Sequence, residues 1–292
     1  MQIEPTTERI LIMNVFVLVL LTSMVPGVVL SQECNTSVFG AEAAKLDLSK
    51  LESVSRLASI FEGSARGAPS NCAEKLFVEF RKLYYEARSR YEKHAGLNES
   101  FPMAPKREKE LRAKLREVGW DLRETEGYYY IGESGAWVID RFQFALTKRM
   151  LQYLTQRKTE IGEGFSEDAA LLITWEKLRR RIAFWEDFLR QYQDFPLKDE
   201  VNFYLETYVR AFLSGTDNTQ ITKDYNDDSL RGDVKAAYEA YLRQNKSSRY
   251  YNVVEGYYEI LKRNKFRVTA ELQVFLDKQG IKSMQAVQPP LY

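Results

Sequence analysis

The sequence predicts a mostly α-helical protein whose C-terminal half is built from antiparallel helix pairs, α-solenoid-like, with one small β-hairpin near residues 120–131. Three observations carry this. Apolar residues recur at spacings of three and four over most of the chain, the pattern of helices that bury one stripe. That pattern is interrupted by two β-prone runs, Trp120-Asp121-Leu122-Arg123 and Tyr128-Tyr129-Tyr130-Ile131. A segment that begins at Ala183 recurs at Ala236.

The N-terminus reads as an address. Residues 10–21 are apolar apart from Asn14, Pro26-Gly27 break the run, and Val29-Leu30-Ser31-Gln32 follow. Hydrophobic core, polar break and small residues form the order of a secretory signal peptide, with cleavage between Ser31 and Gln32. Residues 10–30 are also long enough for an uncleaved anchor. Glu4 and Glu8 outnumber Arg9 where a signal prefers positive charge, and a start at Met13 removes them. The expectation is an exported protein, periplasmic or secreted, with residues 1–31 removed and no membrane span left after cleavage. In an oxidising compartment the two cysteines, Cys34 and Cys72, are expected to pair. Such a bridge adds about 4 kcal/mol on the loop-entropy account. One helical domain is expected over 32–282, with disulfide-tied helices in 32–118, the hairpin in 119–133 and the repeat half in 134–282. Residues 283–292, with Pro289-Pro290, read as a flexible tail.

Within the domain, Leu48, Leu51, Val54, Leu57, Ile60 and Phe61 predict a helix over 46–61, stopped by Gly63. A second runs from about Ser70 past Phe77, Phe80 and Tyr84 to Gly96, and a third, charged one over 106–118. In the hairpin, Gly127 takes the positive φ of the turn. Ser134 is expected to cap a helix that carries Val138, Phe142, Leu146, Met150 and Leu154 in one stripe. Ser166-Glu167-Asp168 then cap another, through Leu171, Trp175, Leu178, Ile182 and Trp185 to Pro196.

The net charge is +1 at pH 7, so there is no field to hold nucleic acid. The single histidine, His94, sits at a polar helix end, which suits a cation at the dipole and leaves no base for a serine or cysteine nucleophile. Zinc sites built on His and Cys fail by the same count. Gly132-Glu133-Ser134-Gly135-Ala136 lacks the final glycine of a nucleophile elbow. Glu133 is the one weak catalytic candidate, a general acid for glycan cleavage if Trp137 and Tyr128 to Tyr130 supply an apolar pocket. Asp224, Asn226 and Asp228 begin a calcium-loop pattern, but Ser229 and Lys235 replace its glycine and bidentate glutamate. No cofactor or metal is expected. Arg179-Arg180-Arg181 reads as a solvated, ion-paired face. Sequons stand at Asn35, Asn98 and Asn245.

In the repeat, Ala183-Phe184-Trp185-Glu186-Asp187-Phe188-Leu189-Arg190-Gln191 matches Ala236-Ala237-Tyr238-Glu239-Ala240-Tyr241-Leu242-Arg243-Gln244, and Val201, Tyr204 and Glu206 match Val254, Tyr257 and Glu259. Two helix pairs are expected, with 214–233 as a polar insertion between them. An aromatic-Leu-Arg-Gln run, a polar turn and an aromatic-rich helix over 247–262 resemble the tetratricopeptide-like pairs of exported bacterial proteins. The resemblance covers 183–264 and implies a scaffold that presents a groove to a protein or peptide; it assigns no binding residue.

Three functional classes follow. The first is a non-catalytic interaction or scaffold protein, with a protein or peptide partner in the cell envelope or outside the cell, and a groove lined by Tyr204, Tyr208, Tyr257 and Tyr258. The second is an envelope glycan enzyme, which requires a deep pocket holding Glu133 and a second carboxyl. The third is a ligand-binding protein with an aromatic cleft and a few inward polar groups.

Overall fold

One long helix organises the N-terminal half. The computed structural model describes residues 34, 36–97, 101–125 and 127–281. The proposed signal segment, the tail over 283–292 and the sequon asparagines Asn35 and Asn98 lie outside the described residues. Helices α1 (Thr36–Ala43) and α2 (Leu51–Ala65) precede the long α3 (Ser70–His94). Cys34 and Cys72 form a disulfide with their Cα atoms 5.1 Å apart, joining the start of α1 to the first turn of α3. Helix α2 runs through Gly63, which does not stop it.

Phe77, Phe80 and Tyr84 lie at helical spacing on α3 and are fully buried. Phe61 of α2 and Phe142 close on Phe80 at 5.1 and 5.0 Å between ring centroids. Such edge-to-face and tilted contacts add to area burial. Tyr84 also stacks on Trp137 and donates from its hydroxyl to the Val118 carbonyl at 2.8 Å. After α4 (Pro105–Glu117), that bond fixes the entry to the hairpin.

The hairpin pairs β1 (Trp120–Thr125) with β2 (Tyr128–Glu133), Trp120 opposite Glu133 and Arg123 opposite Tyr130. Gly127 has φ +80°, as expected. Alternation divides the hairpin: Trp120, Leu122, Tyr129 and Ile131 are buried, while Arg123 and Tyr130 turn to the other face. Gly119, at φ +80°, lies so close to Trp137 that a Cβ would come within 2.6 Å of the indole.

Beyond the hairpin the helical expectation holds in kind but not in bounds. The stripe from Ser134 is split into α5 (Ala136–Phe142), a 3-10 turn (Gln143–Ala145) and α6 (Lys148–Glu163). Thr147 restarts the chain by accepting from the Met150 amide at 3.2 Å. Ser166-Glu167-Asp168 cap nothing: β3 (Ser166–Glu167) and β4 (Ala170–Leu171) form a hairpin. Its turn residues Asp168 and Ala169 both have positive φ, as a type I′ turn requires. Helix α7 (Trp175–Gln191) starts later, capped by Thr174.

Helices α7 and α8 (Lys198–Ser214) form one packed pair, α9 (Gly232–Gln244) and α10 (Tyr251–Arg263) a second, and α11 (Ala270–Lys278) follows. The matched Trp185, Tyr238 and Tyr257 are core residues, but Leu189 and Leu242 are only partly buried beside it. The Tyr238 hydroxyl and the Trp175 indole both donate to the Phe212 carbonyl, satisfying the buried C-terminal end of α8. The insertion between the pairs is not a polar excursion. It folds into two hairpins, β5 (Gly215–Thr216) with β6 (Thr219–Gln220) and β7 (Thr222–Asp224) with β8 (Asp227–Leu230), and buries Thr216, Ile221 and Leu230. Among the described residues no helix is long and apolar enough to cross a membrane.

Two glycine substitutions are expected to shift stability in opposite directions. Gly119→Ala meets Trp137 and a backbone unsuited to a side chain, and should cost about 1–3 kcal/mol. Gly63→Ala stands in open space inside an exposed helical turn and should gain about 0.5–1 kcal/mol. Urea unfolding of both variants measures the two signs.

Candidate functional site

The charges of this protein are not confined to its surface. Arg81 on α3 and Glu200 on α8 have side chains only 8% and 4% exposed and form a two-armed ion pair. Arg81 falls four residues after Phe77 and three before Tyr84, and so sits on the buried stripe of α3. Its Nη2 also donates to the hydroxyls of Tyr85 and Tyr153, at 2.6 and 3.0 Å. Glu200 in turn accepts from Tyr153 at 2.6 Å and Tyr204 at 2.7 Å. Burial raises the Glu200 carboxyl, but the charge and hydrogen bonds of Arg81, with those of Tyr153 and Tyr204, hold it down at about 2. Burial lifts the Tyr204 and Tyr208 hydroxyls above the usual tyrosine range, so both remain donors at neutral pH.

A parallel network lies one helical layer away. Glu160 on α6 accepts from the Trp185 indole at 2.8 Å, from Tyr208 at 2.9 Å and from Arg157 at 2.5 Å. The Arg157 guanidinium lies 3.6 Å from the centre of the Tyr204 ring, a close cation–π contact. Arg181 on α7 is buried; its Nη2 donates to Glu163 and to the Gly164 carbonyl, while Nε and Nη1 have no hydrogen-bond partner. The arginine run is ion-paired, as the sequence suggests, but of its three members only Arg180 is exposed. Arg179 and Arg181 are 7% and 3% exposed, and Arg181 falls three residues after Leu178 and four before Trp185, on the buried stripe.

These networks form the wall of a cleft between the solvent-facing side of the β1–β2 hairpin and helices α3, α6, α7 and α8. It holds an inner cavity of about 340 Å³ and an outer one of about 930 Å³. The two adjoin, because Arg123, Tyr130, Arg157, Ile161, Phe203 and Tyr204 line both. Arg88, Glu133 and Glu200 belong to the inner cavity; Tyr128, Phe165 and Tyr208 belong to the outer one. Glu133 accepts from the Tyr85 hydroxyl at 2.8 Å, which ties it through Arg81 to Glu200.

The structure separates the four tyrosines expected to share one groove. Tyr204 and Tyr208 line this cleft, whereas Tyr257 is packed against Tyr238 and Tyr258 is buried, bonded to Glu239. The reason is register: on α10 the aromatic stripe faces α9 and forms core. Asp224, Asn226 and Asp228 fall in and beside the turn of the β7–β8 hairpin, with Asp224 paired to Asp227. Among the described residues no group of three or more His, Cys, Asp or Glu is placed to hold a metal ion. His94 is the exposed last residue of α3. Glu133 does share a cavity with a second carboxyl, Glu200, but Glu200 is committed to Arg81 and two tyrosines. Arg88, Arg123 and Arg157 line the cleft although composition and motif left them unmarked, and Arg181, marked only as part of a basic run, lines it too; their positions on amphipathic stripes and on the polar side of a hairpin were the available signal. No protein family, curated protein or solved structure matches the chain.

Removing one partner of the Arg81–Glu200 pair strands the other charge, so Glu200→Leu should cost about 3–5 kcal/mol. Arg81→Met combined with Glu200→Leu should recover much of that loss. Because Glu200 titrates below its ordinary value of 4.5, its contribution is complete above pH 4.5 and is lost as pH falls toward 2. Urea midpoints measured across that window should fall less steeply in the double variant than in the wild type.

Proposed function

We propose that this is an exported, non-catalytic binding protein whose cleft under the β1–β2 hairpin receives an extended ligand. The single observation that carries the reading is the pair of adjoining cavities, lined by aromatic faces and guanidinium groups whose side chains are already held in place. Large, preformed, aromatic-lined clefts with a few convergent polar groups are the usual form of ligand sites. Export is supported by the Cys34–Cys72 disulfide and by the order of residues 10–32. The resemblance to tetratricopeptide-like pairs favours a peptide or protein as partner. It does not provide the groove, since Tyr257 and Tyr258 lie in the second helix pair, away from Tyr204 and Tyr208.

A carboxylate enzyme is less well supported. General acid catalysis requires a carboxyl that carries a proton near neutral pH, with a second carboxylate free to act. Glu200 is held ionised, and four hydrogen bonds from Arg81, Tyr153 and Tyr204 occupy it. Glu133 alone does not make such a pair.

The test is binding of the intact protein to arrays of synthetic peptides and oligosaccharides, wild type against Thr207→Trp. Thr207 lines the outer cavity from α8, and an indole there projects into the space that a ligand would occupy. Binding by the wild type that is lost in the variant is the expected result. Absence of binding, or equal binding by both proteins, overturns the reading.

A further inference from the structure

The cleft is electrically polarised along its length. In the inner cavity the charge of Arg157 is matched by Glu160 at 2.5 Å, and that of Glu200 by Arg81. Arg88 and Arg123 remain. Neither has a carboxylate in ion-pair contact among the described residues: Arg88 lies over the Tyr85 ring at 5.0 Å, and Arg123 donates only to the Glu133 carbonyl at 3.2 Å. Set against Glu133, these two guanidiniums leave the inner cavity with one positive charge in excess. The outer cavity ends in a lip of the opposite sign, formed by Glu124 on the first hairpin and Glu167 and Asp168 on the second. All three are exposed, and none is ion-paired to an Arg or Lys of the described residues.

Between the two ends the walls carry Tyr130, Ile161, Phe203 and Tyr204, shared by both cavities, and the charged groups among them, Arg112, Arg157 and Arg181, are each ion-paired to a glutamate. A ligand that fits must carry a single negative charge at its inner end, a mostly apolar stretch behind it, and positive charge where it emerges. A phosphate carries up to two charges where one is matched, and an acidic sugar polymer would meet the acidic lip with like charge. A peptide C-terminus preceded by basic residues meets all three requirements.

We infer, resting on the cleft as the ligand site, that it captures the C-terminal segment of a peptide, with the terminal carboxylate seated between Arg88 and Arg123 and upstream Lys or Arg side chains at the Glu124, Glu167 and Asp168 lip. Guanidinium groups bind carboxylates by paired, charge-assisted hydrogen bonds, and capture of a chain terminus is a recurring form of peptide recognition. Gly132 is part of the seat. The Arg123 side chain lies across it so closely that a Cβ at position 132 would come within 2.3 Å of Arg123 Nε. Glycine there lets Arg123 lie along the strand with its guanidinium at the cavity; the three atoms that a methyl group would meet first all belong to the flexible end of Arg123.

The experiment is fluorescence anisotropy of the intact protein with two labelled peptides of one sequence, apolar at the last residues and carrying two lysines upstream. One ends in a free carboxylate and the other in an amide. The acid is expected to bind about tenfold or more tightly than the amide, as the loss of one charge-assisted pair implies. Arg123→Gln and Gly132→Ala should each bring the acid-to-amide ratio close to one, with circular dichroism melts confirming that both remain folded. Replacing the two lysines of the peptide by glutamine should weaken binding several-fold and more so at low salt. Equal binding of acid and amide, or a ratio untouched by Arg123→Gln and Gly132→Ala, overturns the inference. If that equal binding is still abolished by Thr207→Trp, the cleft remains a ligand site and only the carboxylate seat falls. If neither peptide binds, or if an acidic oligosaccharide such as oligogalacturonate binds in their place, peptide capture is overturned, and the array comparison decides the cleft separately.

Discussion

The ion pair between Arg81 and Glu200 joins α3 to α8 across 119 residues of sequence, and the geometry of the cleft descends from it. A buried pair of this kind adds little net stability compared with apolar residues of the same shape, because both ions lose their hydration. What it imposes is position. Arg81 can satisfy its carboxylate and two tyrosine hydroxyls only if α3, α6 and α8 keep one relative register. Tyr85 and Glu200 then stand at fixed positions in the wall of the inner cavity, where Tyr85 passes the network on to Glu133. A cleft floor built in this way is preorganised, which would lower the entropy lost by any ligand that the cleft receives.

Aromatic residues do two different jobs around this pair. Phe61, Phe77, Phe80 and Phe142 fill space between the N-terminal helices and contribute through burial and edge-to-face contact. The tyrosines fill space as well, but their hydroxyls satisfy groups that helices leave open: Tyr84 serves the Val118 carbonyl, and Tyr238 serves the last turn of α8. In the cleft the same property turns outward, because Tyr85, Tyr204 and Tyr208 hold carboxylates in place beside an open cavity. High tyrosine content is thus chiefly structural here, and only the tyrosines that face the hairpin line the cleft.

Much of the architecture was legible where a local signal was strong. The switch from period three-to-four to a two-residue alternation marked the hairpin, and Gly127 marked its turn. The Ala183 and Ala236 segments marked two helix pairs of one design, and two cysteines behind a segment with the order of a secretion signal marked the disulfide. Boundaries failed where tertiary contacts outweighed periodicity. The stripe from Val138 to Leu154 continues in phase across a break at Thr147, so spacing alone reads one helix where the chain makes two. Leu171 and Leu172 likewise kept the helical phase ahead of Trp175, although the chain there turns back on itself as β3 and β4.

By itself the sequence determined which residues are apolar and at what period they recur, and with that the helical class, the single larger hairpin, the paired helices and the disulfide. These depend on contacts within a turn of helix or across a short loop, whose physics is written in neighbouring residues. Only the tertiary structure decided which charges are buried, and so where the cleft lies. Arg81, Arg181 and Glu200 look like ordinary members of charged helices until a partner from another helix stands opposite each one, and the Arg157–Glu160 pair within α6 looks like a surface pair until Tyr204, Tyr208 and Trp185 close over it. A charge on an amphipathic stripe is a surface residue or a core residue according to whether that partner arrives. The penalty for leaving it unpaired in a low-dielectric interior makes the choice all or none.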